Sequence, residues 1–254
     1  MKIAVTGKGG VGKTTVAALL CKALTAHGYA VVAVDADPDA NFAAALGFSA
    51  ETKITPLVEM KELIEERTGA KAGSIGSFFK LNPRVDDLPE KLWHEQDGIK
   101  LLQMGTVTQG GSGCICPEST LLKNMVQNML LYRNEAVVMD MEAGIEHLGR
   151  ATAQAVDRLI MVAEPGRRSI ETAQKITELA NDINLNQVSL IANKISNDAD
   201  REFFDQHAAG FDILGYLQFD EGIRTADMER VPPWQHSPEA LAQVTRIAEK
   251  LIEK

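Results

Sequence analysis

Eight residues near the start, Gly7-Lys8-Gly9-Gly10-Val11-Gly12-Lys13-Thr14, carry the plainest chemistry in the chain. Their spacing, a glycine, four residues, then glycine, lysine and a hydroxyl, is that of a phosphate loop. Glycines let consecutive backbone N–H groups turn inward around phosphate oxygens without a Cβ in the way. The amides of Gly9, Gly10, Val11 and Gly12 would face the phosphates, with Lys13 on the β- and γ-phosphates. The Thr14 hydroxyl would ligate magnesium, and Thr15 is placed to donate to the α-phosphate. By chance the four fixed positions recur in about one chain in a hundred of this length. A strand before the loop and a helix after it lower that further. The plain alternative is a glycine-rich turn at a helix start.

Carboxylates and amides elsewhere fit the same ligand. Ala136-Val137-Val138-Met139-Asp140 is an apolar run ending in an acid. At the carboxyl edge of a parallel sheet Asp140 would stand beside the loop and hold a magnesium-bound water. Its plainer role is a helix N-cap for the segment from Gly144 onward. Asn193-Lys194-Ile195-Ser196 looks like the guanine-reading pattern Asn-Lys-x-Asp, but Ser196 replaces the final acid. Guanine then loses its main discriminating contact, whereas Asn193 can still read adenine's amino group, so ATP is expected. Asn193 and Lys194 are accordingly assigned to the nucleotide. Pro165-Gly166-Arg167-Arg168 would cover the base, or is a solvated turn.

A second kind of chemistry sits in Cys114-Ile115-Cys116, between glycines (Gly110, Gly111, Gly113) and Pro117. Cys-x-Cys offers two thiolates to one soft metal ion, and a nearby helix N-terminus would lower their pKa. Two ligands leave a zinc or nickel site half filled. A twofold axis bringing the same pair from a second chain would complete four, suiting tetrahedral zinc or square-planar nickel. Two inert thiols, or a redox pair, are the alternatives. Cys21 lies in the apolar Val16–Leu24 stretch and reads as a small core residue.

Positioning these groups needs a sheet. Strands are expected at Lys2–Thr6, Tyr29–Asp35, Ile99–Met104, Ala136–Met141, Arg158–Ala163, Gln187–Asn193 and Ile213–Leu217. Most are near-continuous apolar runs, which suits strands buried on both faces. Helix-period segments alternate with them, among them Thr14–His27, Glu118–Arg133, Ser169–Asn184 and Pro238–Glu253. That alternation predicts right-handed βαβ units and an α/β, doubly wound, mainly parallel sheet of about seven or eight strands flanked by helices. Residues 1–254 are read as one domain, interrupted at about 50–98 by a charged insertion with helices at Leu57–Thr68 and Ser77–Trp93.

Composition bounds the function. At 45% hydrophobic and 24% charged residues the chain is globular rather than disordered or fibrous. A net charge of −9 opposes sequence-independent binding to nucleic acid or an anionic membrane, both of which it would repel. No apolar run approaches the roughly eighteen residues of a membrane span. The apolar stretch Ile3–Val5 is too short for a signal peptide, so a cytoplasmic location is expected. Three cysteines in such a chain do not make a disulfide framework.

Lys8, one position after the first glycine, marks the deviant-Walker-A group of P-loop ATPases, which includes MinD, ParA and the nitrogenase iron protein. The chain resembles that group. The resemblance implies that Lys8 crosses a dimer interface to the partner's nucleotide, rather than lying solvated in its loop. It also places Asp37, within Asp35-Ala36-Asp37-Pro38-Asp39-Ala40-Asn41, in the first switch, orienting the water that attacks the γ-phosphate. Asp followed by Pro is equally an N-cap with proline at the first helical position. Asp35 and Asp39 are weaker candidates, the latter for sensing the nucleotide.

The deviant loop, the Asp-Pro-Asp switch, the cysteine pair and Asp140-Met141-Glu142-Ala143-Gly144-Ile145-Glu146-His147 together are similar to the CooC proteins over nearly the whole chain. These are ATPases that help insert nickel into carbon monoxide dehydrogenase. Resemblance to them implies a homodimer closed by ATP or metal, with Lys8, Lys13 and Asp37 catalytic in hydrolysis to ADP and phosphate. Nickel or zinc would be shared between Cys114 and Cys116 of two subunits, with carbon monoxide dehydrogenase as client and no nucleic-acid or membrane partner. Glu142 and His147 would be second-switch or metal contacts, or surface positions. Two rivals are a ParA- or MinD-type switch without metal and an iron–sulfur electron donor. The acidic balance and the mixed charges of the last helix oppose the first. Against the second, no cysteine follows Asp140, unlike the two separated cysteines of the iron protein.

Overall fold

The computed structural model describes residues 1–37, 41–71, 78, 80–85, 92–105, 120–121, 124–125, 134–142 and 156–253. Its apolar runs pair into one eight-stranded sheet: β1 Lys2–Thr6, β2 Ala30–Ala36, β3 His94–Gln96, β4 Ile99–Gln103, β5 Glu135–Met141, β6 Arg158–Ala163, β7 Val188–Ile195 and β8 Asp212–Gln218. Spatially they run β3-β4-β2-β5-β1-β6-β7-β8, and every pairing except β3 with β4 is parallel. The expected doubly wound α/β sheet is therefore the observed one. From β1 the chain crosses to β2 on one side, and later strands fill the other side from β6 onward. The carboxyl end of β1 thus lies where the strand order reverses, the place where such sheets form a crevice.

Alternating side chains of the same strands feed two cores. Ala4, Val34, Leu102, Met139, Met161 and Leu190 point to one face, under helices α4 Arg167–Asp182 and α5 Asp198–His207, which add Ile170, Ala173, Ile176 and Phe204. Ile3, Val5, Ala33, Leu101, Val138 and Ile160 point to the other, under α1 Lys13–Ala26 and α8 Pro238–Ile252. Each buried leucine or isoleucine contributes about 1.5–3 kcal/mol relative to exposure. That double burial explains why the strands read as unbroken apolar runs. Helix α1 is sealed along most of its length, with Leu19, Leu20, Cys21 and Leu24 all at 0% exposure. The N-cap of α8 is Ser237, whose hydroxyl accepts from the Ala240 amide.

The stretch expected to be an insertion holds a 3₁₀ turn at Leu57–Glu59 and helix α3 Lys61–Thr68; a further short helix, α2, spans Phe42–Ala45, while α6 Glu221–Glu229 and α7 Pro233–His236 precede α8. Leu57 and Ile64 join the first core. The expected helices at Ser77–Trp93 and Glu118–Arg133 lie largely outside the described residues. Strand β3 adds to the strands expected from apolar runs. It pairs antiparallel with β4 through a two-residue turn in which Asp97 (φ 51°) and Gly98 (φ 78°) are both left-handed. Such a turn matches the twist of paired strands, but His94-Glu95-Gln96 has no apolar run to announce it.

Candidate functional site

Thr6 closes β1 by donating from its hydroxyl to the Glu142 carbonyl at 3.0 Å, which ties the ends of β1 and β5 together. The next residue has to be glycine. Gly7 has φ 149°, and a Cβ there would lie 2.3 Å from the Val162 carbonyl oxygen of β6. The loop then turns through Gly10 (φ 82°) and Gly12 (φ 95°), with Val11 buried beneath it. The Val16 amide donates to the Gly12 carbonyl at 3.0 Å and opens α1. Among the described residues no side chain caps this helix N-terminus. Its first amides, and the positive end of the helix dipole, are left for an anion. Thr14 and Thr15 are half-buried in that first turn.

Lys13 is 8% exposed, and its ammonium lies 3.9 Å from the Asp37 carboxylate. The loop lysine and the expected switch acid therefore face one another across the mouth of the loop. Lys8 is half-buried, its carbonyl accepts from the Val11 amide at 3.4 Å, and among the described residues no carboxylate pairs with its ammonium.

Behind Lys13 stand two further acids. Asp35 of β2 and Asp140 of β5 are register partners, at 0% and 1% exposure. Among the described residues, both oxygens of Asp140 and Oδ2 of Asp35 have no hydrogen-bond partner. Burial pushes the Asp140 carboxyl up to about 7, although Thr14 and Lys13 draw it back part of the way. Burial, and then the charge of Asp140, pushes Asp35 up to about 7 as well. Orphaned, sealed carboxylate oxygens beside a threonine hydroxyl are the donor set of a hard, oxygen-preferring cation, and they fit magnesium.

The end of β7 supplies Asn193 and Lys194. Asn193 is 6% exposed and donates from Nδ2 to the Val11 carbonyl at 2.8 Å, which leaves its Oδ1 as the acceptor an adenine amino group requires. The Lys194 ammonium donates to the Gly10 carbonyl at 2.6 Å and stands 2.9 Å from the Glu164 carboxylate. Expected beside the base, both side chains hold the phosphate loop here. Sequence reasoning passes over Glu164, whose one signal is an acid directly before the Pro165-Gly166 turn.

Cys114, Cys116, Asp39 and His147 lie outside the described residues. Cys21 is fully enclosed, and burial pushes its thiol well up, as a core residue requires. Among the described residues no cluster of three or more His, Cys, Asp or Glu side chains could hold a metal ion, and no helix is long and apolar enough to cross a membrane.

Comparison with known proteins identifies relatives of the chain. Residues 2–233 match the family described as CobQ/CobB/MinD/ParA nucleotide binding domain. The carbon monoxide dehydrogenase accessory protein CooC of Rhodospirillum rubrum is 46% identical over 256 residues, covering 100% of this chain and 97% of that protein. An uncharacterized ATP-binding protein of Methanocaldococcus jannaschii is 45% identical over 226 residues, covering 88% of this chain and 87% of its own. Among solved structures, the MinD cell division protein of Aquifex aeolicus superposes with a TM-score of 0.73 at 19% identity, over 100% of this chain and 97% of that one, a likeness of fold.

Proposed function

The chain belongs to the CobQ/CobB/MinD/ParA nucleotide-binding family, as a CooC-type ATPase of its MinD/ParA group, and from that premise we propose that it is an ATP-driven maturation factor for carbon monoxide dehydrogenase. One observation carries the ATPase chemistry: among the described residues a glycine loop opens an uncapped helix directly in front of a sealed acid, Asp140, on which Thr14 and Lys13 of that helix act. The amides of Gly9, Gly10, Val11 and Gly12 and the Lys13 ammonium bind the phosphates. Thr15 donates to the α-phosphate, Asn193 offers its Oδ1 to the adenine amino group, and Lys194 acts on the nucleotide through the phosphate loop that it holds. Thr14 and Asp140 would hold magnesium, which when bound would neutralise charge on the phosphates. Asp37 leaves Lys13 once phosphate replaces it, then orients the attacking water and accepts its proton.

Two subunits close on ATP, each lending Lys8 to the other's phosphates; the lack of a carboxylate partner for Lys8 among the described residues supports this reading. Nickel, the cargo, or zinc is held between Cys114 and Cys116 of the two chains and released to the client when hydrolysis reopens the dimer. Coupling of this kind requires that ATP bind the closed state more tightly than the open one. The name of the Rhodospirillum rubrum relative supports carbon monoxide dehydrogenase as client. Helix α8 turns its apolar residues Val244, Ile247, Ala248 and Leu251 into the core, which weighs against a membrane-docking role for it.

The test is nickel and zinc titration of the reduced protein, followed by thiolate charge-transfer absorption and by sizing, with and without ATP. One metal per dimer, lost in Cys114→Ser and in Cys116→Ser, is expected. Unchanged uptake in both variants removes the metal role and leaves an ATPase switch.

A further inference from the structure

We infer that Glu164 is a positioning residue for the phosphate loop, acting through Lys194 and setting which way the loop's amides point. The inference rests on the reading of Gly7–Thr14 as the seat of the nucleotide's phosphates, and it assigns a task to an acid to which that reading gives no role.

The cause begins in β7. Its register with β8 shifts between Ala192 and Ile195, and within that irregularity Lys194 adopts φ 59°. A left-handed backbone costs a non-glycine residue about 1–2 kcal/mol, and bulges of this sort re-aim side chains beside functional sites. The result is that two consecutive residues both reach the loop, where a regular strand would send them to opposite faces. Asn193 takes the carbonyl of Val11 and Lys194 the carbonyl of Gly10.

Those two anchors fix more than position. The loop's peptide bonds are trans, and in a trans peptide the C=O and the following N–H point in opposite directions. Holding the Gly10 carbonyl on Lys194 turns the Val11 N–H away from β7 and into the loop, where it makes a long 3.4 Å contact to the Lys8 carbonyl that a phosphate oxygen can replace. Holding the Val11 carbonyl on Asn193 likewise turns the Gly12 N–H away from β7. The end of β7 therefore selects the direction of the loop's amides.

An ammonium next to a triphosphate site would move onto the phosphates unless something restrained it. Glu164 is that restraint: its carboxylate is 2.9 Å from Lys194 and balances its charge. Glu164 is itself pinned, since its amide donates to the hydroxyl of Ser169, a residue 4% exposed in the first turn of α4. The ion pair is partly open to water, at 38% and 30% side-chain exposure, so its effect is on orientation and modest in size.

The experiment measures ADP and non-hydrolysable ATP affinity by calorimetry at fixed magnesium, with steady-state turnover and the melting temperature of nucleotide-free protein. Wild type, Glu164→Gln, Lys194→Met and the double variant are compared, with Lys13→Ala alongside. Glu164→Gln is expected to weaken ADP and ATP alike by about two- to fivefold, raising KM with little change in kcat. Its melting temperature should stay within about 2 °C of wild type. The double variant should bind no more weakly than Lys194→Met alone, because the acid acts through the lysine. Unchanged affinity in Glu164→Gln, or losses that multiply in the double variant, overturns the inference. Wild-type binding by Lys13→Ala would instead overturn the phosphate-loop reading beneath it.

Discussion

Asp35 of β2 and Asp140 of β5 stand opposite each other in register, both sealed from solvent, and three of their carboxylate oxygens have no hydrogen-bond partner among the described residues. Two buried negative charges side by side oppose ionisation of each other, and burial alone already disfavours either one. The pair is thus built to hold protons when the site holds nothing else, and to give them up to a cation.

For the protein free of nucleotide and magnesium, this pair makes stability depend on pH. Both folded pKa values are raised to about 7, against an ordinary carboxylate value of 3.8. Between those limits the folded state binds more protons than the unfolded one, so stability falls as pH rises and levels off above about 7. At about 1.4 kcal/mol for each pH unit between 3.8 and 7, the fall is on the order of 4 kcal/mol for each acid. Urea unfolding across this range should show the decline in wild type and a shallower one in Asp140→Asn, which should also be the more stable protein at pH 8. Parallel curves for the two proteins would contradict this linkage.

The Lys13–Asp37 contact of 3.9 Å separates two roles for the acid. Asp37→Asn should bind ATP within a few-fold of wild type, while turnover drops by about 10²–10⁴-fold. Lys13→Ala should lose nucleotide binding. If Asp37→Asn instead lost binding and turnover together, Asp37 would be a structural partner of Lys13 and no more.

Glycines of the loop should differ in what they tolerate. Gly7→Ala meets the Val162 carbonyl at 2.3 Å, whereas Gly10→Ala, also at positive φ, meets nothing among the described residues within 4 Å. Gly10→Ala should cost about 1–2 kcal/mol from backbone strain. Gly7→Ala adds overpacking of about 1–3 kcal/mol to that. Denaturant unfolding of both variants checks the order, and equal losses would discount the close approach of β6.

Lys8 gives a prediction about assembly. In an Asp37→Asn background that retains ATP, sizing should show a dimer with ATP and magnesium, and Lys8→Gln should return it to monomer. A Lys8→Gln protein that still dimerises on ATP would rule out the cross-subunit contact.

The phosphate loop and seven of the strands were legible because glycine spacing and doubly buried apolar runs are local signals. What escaped the sequence depended on long-range geometry. Asp35 stands out in the sequence only weakly, because it is the strand order that puts β2 beside β5 and brings its side chain to Asp140. Asn193 and Lys194 were recognised by type, but their direction was set by a bulge and a left-handed backbone that no residue in the stretch announces. Glu164 lies thirty positions before its lysine partner and joins it only through the β6–β7 pairing. Strand β3 has polar residues only, and its Asp97-Gly98 turn was its single legible mark.

Cys21, enclosed in the middle of the helix that begins at Lys13, gives the molecule a built-in clock. With serine at positions 114 and 116, an alkylating reagent can reach this one remaining sulfhydryl only during excursions that lift α1 from the sheet. Ligand on the loop suppresses those excursions by a factor that grows with occupancy. Labelling rates recorded against nucleotide concentration would then report, from a single thiol, how strongly phosphate capture is welded to the integrity of the whole fold.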